Sequence, residues 1–299
     1  MRNINCCPIC KTTKTDLVYN STLPPQISMT NLPGPYSAHY QINRCSSCGL
    51  LRSSPILTED GVNNLYKNSS ETNVTQGEEE NVKRTMKLYY EMAAPFLRNK
   101  ERILDVGCDM GYLLEVASKD GFKEIYGLEP NPVACKIASK IAGANISDMF
   151  YENVNYPEDF FDLIVMIHVL DHLVDPGAVL LRAHRDLNPG GLFTAVVHNV
   201  ESVLGRVMGE KFPPFNLYHF YYFSKKTLGA LLSAHGFEVV SIASSCNCYS
   251  LGFFIDRFPL LPKSMRQGLS KLLDKLKLDN LSLTIPVGNI QIVARKPIK

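Results

Sequence analysis

The chain has 299 residues, of which 45% are hydrophobic, so it is long enough for one large core and a minor domain, and a fibrous or wholly disordered protein is excluded. Its 31 Lys and Arg and 29 Asp and Glu leave a formal net charge of +2, too small for strong electrostatic binding to nucleic acid or an anionic membrane. No run approaches the length of about 18 apolar residues that a membrane span needs, and no apolar signal opens the chain, so we expect a cytoplasmic protein.

Cysteine spacing is the first pattern along the chain. The nine cysteines are odd in number and clustered, which favours free thiols and a metal in a reducing compartment over disulfides. Cys7 and Cys10 form one Cys-x-x-Cys pair, and Cys45 and Cys48 form a second. Two such pairs supply the four thiolates of a tetrahedral zinc site, which is expected to be structural because no ligand position stays open. Cys6 competes with Cys7, but only Cys7 has the two-residue spacing.

The N-terminal third is predicted to be a small module followed by a connection. Residues 1–55 are rich in Pro, Ser, Thr and Asn and show weak apolar periodicity, so we predict a zinc-binding module there. Residues 56–100 are predicted to contain a linker and N-terminal helices. Within them we expect a short amphipathic segment near Thr58–Tyr66, a polar linker over Lys67–Glu80 and a long helix over Glu79–Leu97.

From residue 101 to 299, short apolar runs alternate with helical stretches, which is typical of βαβ units and a parallel sheet in an α/β fold. The predicted strands are Arg102–Val106, Glu124–Leu128, Asn145–Ser147, Phe161–Ile167, Gly191–Val197, Phe237–Ala243 and Ile290–Ala294. The predicted helices are Tyr112–Lys119, Pro132–Ala142, Pro176–Leu187 with Asp175 as N-cap, and Ser224–His235.

The turn after the first strand of this region has the pattern of a nucleotide-binding loop. Asp105 lies near the end of the strand, and Gly107 and Gly111 follow where a tight turn enters a helix. Glycine is needed in such a turn because a side chain would hold a ligand away from the backbone. Glu129 follows the next strand, where a carboxylate can accept hydrogen bonds from a ribose diol. The glycine spacing does not match the Gly-x-Gly-x-x-Gly pattern of nicotinamide-dinucleotide folds.

With these landmarks the sequence resembles the class I S-adenosylmethionine-dependent methyltransferases over residues 101–297, and further matching segments are Phe161–Val165 and Leu187–Gly191. The resemblance implies a Rossmann-like class I sheet and a set of residues around S-adenosylmethionine: Asp105, Gly107 and Gly111 at its methionine end, Glu129 at its ribose, and Phe150 or Met149 against its adenine.

One residue of the turn departs from this resemblance, because Asp109 stands where the family usually has glycine. Its carboxylate can repel the carboxylate of the methionine moiety or accept a hydrogen bond from its ammonium group. A non-catalytic binding protein that retains the fold is therefore one alternative.

The residues after the fourth strand of such a sheet face the transferred methyl group. Here they read His-Val-Leu-Asp-His over His168–His172, which resembles a His-Val-Leu-Glu-His-Leu segment of small-molecule methyltransferases. His168 is a candidate for the cofactor pocket or for catalysis, and a packed structural histidine is the competing interpretation of His172. The segment lacks the Asn-Pro-Pro-aromatic signature of enzymes that methylate exocyclic amines of bases.

A second histidine segment lies in a predicted substrate lid around residues 200–224. Asn216–Ser224 resembles the His-Leu-x-x-Phe-Ser segment of zinc-module methyltransferases, including sugar C-methyltransferases, and His219 falls on the histidine that faces the substrate. His219 is therefore predicted to be an acid, a base or a substrate ligand. The sugar enzymes carry Glu and Tyr at the positions occupied here by Tyr218 and Asn216, which weakens the case for ketosugar C-methylation. Aromatic residues packing a lid are the alternative interpretation.

Together these patterns predict methyl transfer from S-adenosylmethionine to oxygen or carbon of a small polar metabolite, such as a nucleotide-linked sugar. An RNA methyltransferase that grips its substrate with the zinc module is the alternative enzyme, and the near-neutral net charge argues against it. The expected partners are a small-molecule substrate and structural zinc, without nucleic acid or membrane.

Overall fold

A computed structural model of the chain describes residues 6–23, 38–58, 60–62, 77–141, 143–258 and 261–298. Most of the predicted amphipathic segment Thr58–Tyr66 and of the predicted linker Lys67–Glu80 lies outside these residues. Within them, eleven strands numbered in chain order form two sheets.

The smaller sheet lies at the N-terminus and has four antiparallel strands in the order β1-β2-β3-β9. Its strands are β1 (Thr15–Tyr19), β2 (Ile42–Cys45), β3 (Leu51–Ser53) and β9 (Tyr221–Tyr222). Three strands come from the predicted zinc module, and β9 comes from the predicted lid. This sheet was not predicted, because its strands are short and one is supplied from far along the chain.

The larger sheet has seven strands in the order β10-β11-β8-β7-β4-β5-β6. They are β4 (Arg102–Val106), β5 (Glu124–Leu128), β6 (Ala144–Ser147), β7 (Phe161–Ile167), β8 (Leu187–His198), β10 (Glu238–Ser250) and β11 (Ser282–Arg295). The five strands from β8 to β6 are parallel, while β11 runs antiparallel to both β8 and β10. This arrangement confirms the predicted α/β Rossmann-like fold.

Helices cover both faces of the larger sheet, as the buried and mostly apolar strand β7 requires. The α-helices of at least six residues in the described part of the chain are α1 (Glu79–Ala93), α2 (Tyr112–Lys119), α3 (Pro132–Ala138), α4 (Pro176–Asp186), α5 (Val203–Met208), α6 (Lys225–Ala234), α7 (Leu251–Arg257) and α8 (Lys263–Leu276). The core on one face includes buried residues of α1 and α2, and the core on the other includes buried residues of α4 and α6.

Several element boundaries agree with the sequence prediction and others differ. β4, β5, β7 and α2 have the predicted bounds. The predicted N-cap of α4 is confirmed, since the Asp175 side chain accepts a hydrogen bond of 3.0 Å from the backbone N–H of Ala178. α1 ends at Ala93 and continues as a 3₁₀ turn, and α3 ends at Ala138 instead of Ala142. β10 and β11 are longer than predicted because they pair with each other along most of their length.

α1 packs directly on the larger sheet. Tyr89 is 1% exposed and donates from its hydroxyl to Asn247 Oδ1 of β10 at 2.7 Å. Its backbone carbonyl accepts a hydrogen bond of 2.8 Å from the side chain of Gln291 in β11. These contacts attach α1 to the antiparallel edge of the sheet.

Candidate functional site

Ligands bind beyond the carboxyl ends of the strands in open α/β sheets, and we call the region formed here by Asp105, the turn 107–111 and Glu129 the crevice. β4 and β5 are neighbours, with Asp105 opposite Gly127. The turn after β4 folds over the end of β5, because the backbone N–H groups of Gly107 and Cys108 donate to the Leu128 carbonyl at 2.7 and 3.0 Å. The predicted turn and the end of the second strand therefore lie side by side.

Two glycines of this turn adopt backbone conformations that other residues reach only under strain. Gly107 has φ of +75°, and a Cβ added to it would lie 2.6 Å from Val169 Cγ2. Gly111 has φ of +79°, and a Cβ there would collide with Ile141. The glycines are thus required by both the turn and its close neighbours.

Glu129 is fixed by backbone donors beneath the turn. The N–H of Asp109 donates to Glu129 Oε2 at 2.9 Å, and the N–H of Asn131 donates to Oε1 at 2.7 Å. Each oxygen of an ionised carboxylate has about two acceptor positions. Because each Glu129 oxygen already accepts one backbone N–H, each keeps one acceptor position for a ligand. The side chain is therefore held in place while it keeps the capacity to accept from a diol.

Three carboxyl groups lie close together in this crevice. Burial, together with the charges of Glu129 and Asp109, raises the pKa of Asp105 to about 8. Burial also raises the pKa of Asp109 to about 6 and raises that of Glu129. Asp105 is 3% exposed, and its Oδ1 has no hydrogen-bond partner among the described residues. The crevice is thus suited to a ligand that brings positive charge.

The predicted adenine contacts lie at the outer edge of the parallel strands. Met149 and Phe150 follow β6, and Ser147 at the end of that strand accepts from the Glu129 N–H at 2.9 Å. Met149 is 41% exposed and Phe150 is half-buried. Both residues therefore belong to the segment that follows β6, whose last residue contacts Glu129.

A second group of side chains occupies the ends of β7 and β8. Four histidines surround the carboxylate of Asp171, which is 2% exposed: His168, His172, His198 and His219. The rings of His168 and His198 have centroids 4.7 Å apart, and those of His172 and His219 are 4.4 Å apart. The predicted candidates His168 and His219 therefore belong to one cluster, which we call the Asp171 cluster.

A local turn positions His219 within the segment predicted to be a lid. Asn216 Oδ1 accepts from the backbone N–H groups of Tyr218 and His219 at 2.9 and 3.2 Å, an Asx-type turn. His219 Nδ1 lies 2.7 Å from the Pro214 carbonyl, and a carbonyl can only accept, so Nδ1 carries a proton. In the neutral ring Nε2 then has a free lone pair, and it lies 3.8 Å from Asp171 Oδ2. His219 is thus arranged to accept a proton at Nε2 with a carboxylate nearby.

The lid and the loop after β7 are tied together through the backbone. The carbonyl of Asp171 accepts from the N–H groups of Phe220 and Tyr221 at 2.8 and 3.2 Å. His168 has φ of +53°, a conformation that is uncommon outside glycine and is concentrated at functional sites. The two segments that carry the cluster are therefore held in defined positions.

Burial and neighbouring charges set the protonation of the carboxylate and of three imidazoles in the cluster. Burial alone would raise the pKa of Asp171, but the surrounding imidazoles lower it below its ordinary value. Burial and the neighbouring His219 lower the pKa of His172 to about 3, and burial also lowers the pKa of His168 and His198. The carboxylate is therefore ionised among imidazoles of which these three are neutral.

The four predicted cysteine ligands lie together in the N-terminal module. Cys7 and Cys48 have their sulfur atoms 3.5 Å apart, those of Cys10 and Cys45 are 3.4 Å apart, and all four lie within 4.8 Å of one another. A tetrahedral zinc ion with bonds of about 2.3 Å holds its sulfur ligands about 3.8 Å apart, so the arrangement fits such an ion. Cys6 is exposed and lies outside this set.

Sequence reasoning did not identify His198, and it treated Asp171 only as a variant of a motif. His198 ends β8 and is adjacent to β7, so its position follows the same rule that singled out His168, namely that residues at the carboxyl ends of parallel strands face the ligand. Asn289 lies opposite His198 on β11 and approaches His168 Nε2 within 3.5 Å. The position of Asn289 depends on the pairing of β11 with β8, so no local sequence pattern could predict it.

The chain is an α/β protein of Rossmann-like fold with polar residues at the carboxyl ends of its parallel strands. A family model described as a methyltransferase domain matches residues 79–242, more than half of the chain, and the chain belongs to this family.

Relatives and solved structures are more distant. The chain is 31% identical over 108 residues to a ubiquinone biosynthesis O-methyltransferase of Bradyrhizobium sp. (strain ORS 278), covering 33% of this chain and 40% of that protein. It is 29% identical over 108 residues to a tRNA U34 carboxymethyltransferase of Aliarcobacter butzleri (strain RM4018), covering 34% and 36%. A chain from the complex between the Haloferax volcanii Trm112 methyltransferase activator and a methyltransferase superposes with a TM-score of 0.53 at 17% identity, covering 73% of this chain and 92% of that one.

The matched segment thus spans less than half the length of these relatives, and the structural likeness shows the fold alone. In the described part of the chain, no helix is long and apolar enough to cross a membrane.

Proposed function

We propose that this protein transfers a methyl group from S-adenosylmethionine to a small polar acceptor, at oxygen or at an acidic carbon. The observation that carries the proposal is the position of the acid-lined crevice after β4 and β5 next to the Asp171 cluster after β7 and β8. β4 and β7 are adjacent strands, with Asp105 opposite Val165, so the two sites share one edge of the sheet.

The crevice fits S-adenosylmethionine by charge and by shape. Its carboxyl groups complement a ligand that carries a sulfonium and an ammonium group, and the unpaired Oδ1 of Asp105 supports this fit. Gly107 and Gly111 shape the turn at the proposed methionine end, and Glu129 has acceptor capacity for the ribose. Phe150 is proposed to lie against the adenine. When bound, the cofactor supplies an electrophilic methyl group on sulfur.

The Asp171 cluster is proposed to prepare the acceptor. His219 takes a proton from the acceptor at Nε2, and the nearby Asp171 carboxylate stabilises the resulting imidazolium. The new bond joins the methyl carbon to the acceptor atom while the carbon–sulfur bond breaks, and the uncharged thioether leaves. His168 is proposed to line the space between this base and the crevice. Much of the rate is expected from alignment of the two reactants.

We further propose that Cys7, Cys10, Cys45 and Cys48 hold a structural zinc ion. The mutual approach of the four sulfur atoms supports this assignment. A site closed by four thiolates has no open position for a substrate, so it contributes to folding of the module and takes no part in the chemistry.

The test uses the full chain with S-adenosylmethionine and a metabolite extract. We expect calorimetric binding of the cofactor to the wild-type protein, loss of binding in Glu129→Ala, and a labelled small molecule when the methyl group carries an isotope. Absence of cofactor binding by the folded, zinc-loaded protein would refute the proposal in favour of a non-catalytic binding protein. Label in RNA, with binding that falls steeply as salt is added, would refute the small-molecule acceptor.

A further inference from the structure

Four of the seven histidines in the sequence converge on one buried carboxylate. Within the Asp171 cluster, one ligand atom each of His168, Asp171 and His198 all lie within 4.8 Å of one another. The same is true of Asp171, His172 and His219. Proton transfer to a single base requires only His219 and its carboxylate, so the remaining imidazoles are not explained by the proposed reaction.

One unpaired atom distinguishes the first of these two sets, because the buried Nδ1 of His168 has no hydrogen-bond partner among the described residues. Asp171 is common to both sets; its Oδ1 also has no hydrogen-bond partner there and lies 3.9 Å from His172 Nε2. Buried polar atoms are normally paired, so both atoms are available to a bound ion. In the second set, His219 donates from Nδ1 to the Pro214 carbonyl, and its Nε2 is the proton acceptor in the proposed function.

The spacing of the first set is close to that around a single ion. A tetrahedral metal with bonds of about 2.0–2.2 Å to nitrogen and oxygen holds its ligand atoms about 3.3–3.6 Å apart. Side-chain rotations that move each of these atoms by less than about 1 Å would therefore bring all three into coordination. The ligands come from the loop after β7 and the end of β8, which are fixed by the parallel pairing of the two strands.

We propose that His168, Asp171 and His198 bind one divalent transition-metal ion of the zinc, iron, cobalt or nickel type. Imidazole nitrogen favours these ions, whereas magnesium and calcium require mostly oxygen ligands. Three protein ligands leave coordination positions open for a substrate atom, as in catalytic metal sites. This ion is distinct from the zinc of the cysteine set, which lies in the N-terminal module and is closed by sulfur.

The role of the ion rests on the proposed function, whereas its binding does not. In that role the ion deepens the proposed function, because it narrows the acceptor to a hydroxyl group. An acceptor oxygen bound to the ion loses its proton more readily, and His219 Nε2 receives that proton. The oxyanion then forms the bond to the methyl carbon as the carbon–sulfur bond breaks. Metal binding itself requires neither the cofactor nor turnover and can be measured without them.

Cobalt(II) is the probe, used on the tag-free full chain after its cysteine site has been loaded with one equivalent of zinc. We expect wild-type protein to bind a second equivalent with the weak visible absorption of nitrogen and oxygen ligands, without a sulfur-to-cobalt charge-transfer band. Excess magnesium should not displace it. Since loss of an outer-shell partner alone costs about 10–100-fold in metal affinity, His168→Ala and His198→Ala should weaken cobalt binding by at least about 100-fold. His184→Ala, which alters a histidine outside the cluster, should bind cobalt like the wild type.

Circular dichroism identifies variants that fail to fold, and His198→Gln supplies a second, larger replacement at one ligand. The proposal is overturned if zinc-loaded wild type takes up no cobalt, or if both ligand variants bind it normally. It is also overturned if binding depends on His172 and His219 but not on His168 and His198. Cofactor binding is measured on the same preparations and separates the two proposals. If the zinc-loaded wild type binds S-adenosylmethionine but no cobalt, only the metal site is refuted. If it binds cobalt but no S-adenosylmethionine, only the methyltransferase function is refuted.

Discussion

Ser53 and His219 are 166 residues apart in the chain, yet the Ser53 hydroxyl lies 3.3 Å from the backbone carbonyl of His219, to which it donates. The same serine contacts the hydroxyl of Tyr222 at 2.8 Å, and its N–H donates to the Phe220 carbonyl at 2.9 Å. Ser53 ends β3, which follows the second cysteine pair. The cysteine module is therefore joined directly to the segment that carries the proposed base.

This connection predicts that loss of the zinc site lowers turnover without removing the cofactor site. Cys10→Ser removes an exposed member of the cysteine set, so zinc content should fall and β3 should no longer hold His219 in place. We expect a lower kcat with the affinity for S-adenosylmethionine nearly unchanged, because the crevice residues lie on β4 and β5. Metal analysis, calorimetry and the methyl-transfer assay measure the three quantities.

Cys6→Ser is the matched control, since Cys6 is the exposed neighbour outside the set. It should retain both zinc and turnover. Equal zinc loss in the two variants would contradict the assignment of Cys7 and Cys10 as the first pair. Full turnover by a zinc-free Cys10→Ser protein would show that the module does not position His219.

The proposed base predicts a specific division between binding and rate. His219→Ala removes the proton acceptor, and general-base catalysis is typically worth about 10²–10⁴-fold, so kcat should fall by that order. The affinity for S-adenosylmethionine should change little, because His219 belongs to the lid. Joint loss of cofactor affinity and turnover would instead indicate a structural role. His184→Ala, on α4 and outside the cluster, should keep wild-type kinetics.

The parts of the molecule that could be predicted from sequence depend on neighbours along the chain. β4, β5 and β7 were predicted within their bounds because each is a short apolar run bounded by polar residues and glycine. The cysteine set followed from spacing alone. β9 could not be predicted in the same way, because Tyr221 and Tyr222 become a strand only by pairing with β3.

The same distinction applies to the site. His168 and His219 lie in recognisable segments, whereas the contact of the Asp171 carboxylate with His198 requires the register of β7 against β8. Asn289 reaches His168 from the antiparallel strand β11. Such relationships are set by sheet order, which a local pattern does not contain.

Gly107→Ala is expected to weaken S-adenosylmethionine binding. Alanine at φ of +75° costs about 1–2 kcal/mol in backbone strain, and its Cβ would press on Val169 Cγ2 at 2.6 Å. The turn should shift to relieve the backbone strain and the close contact with Val169. This shift displaces the backbone beside the crevice. Gly121→Ala is the control, because Gly121 has φ of +95° but open space around its Cβ position. Both variants should lower Tm, but only Gly107→Ala should raise the Kd for the cofactor. Equal affinities in the two variants would contradict the placement of Gly107 at the cofactor.

Cofactor binding is expected to release a proton from Asp105. In the free protein its pKa is about 8, owing to burial and to the charges of Glu129 and Asp109, so the group is mostly protonated at pH 7. A cationic ligand favours the carboxylate and lowers this pKa. Binding should therefore strengthen as pH rises towards about 8, by up to about tenfold per pH unit for one proton, and level off above it.

Calorimetry at pH 7 in two buffers with different ionisation enthalpies measures the released proton. Asp105→Asn removes the titrating group and should abolish most of the release. Asp109, whose pKa is raised to about 6 by burial, should contribute only at lower pH. If wild-type protein released no proton at pH 7, Asp105 would not face the positive charge of the cofactor. A release that persisted in Asp105→Asn would assign the titration to another group of the crevice.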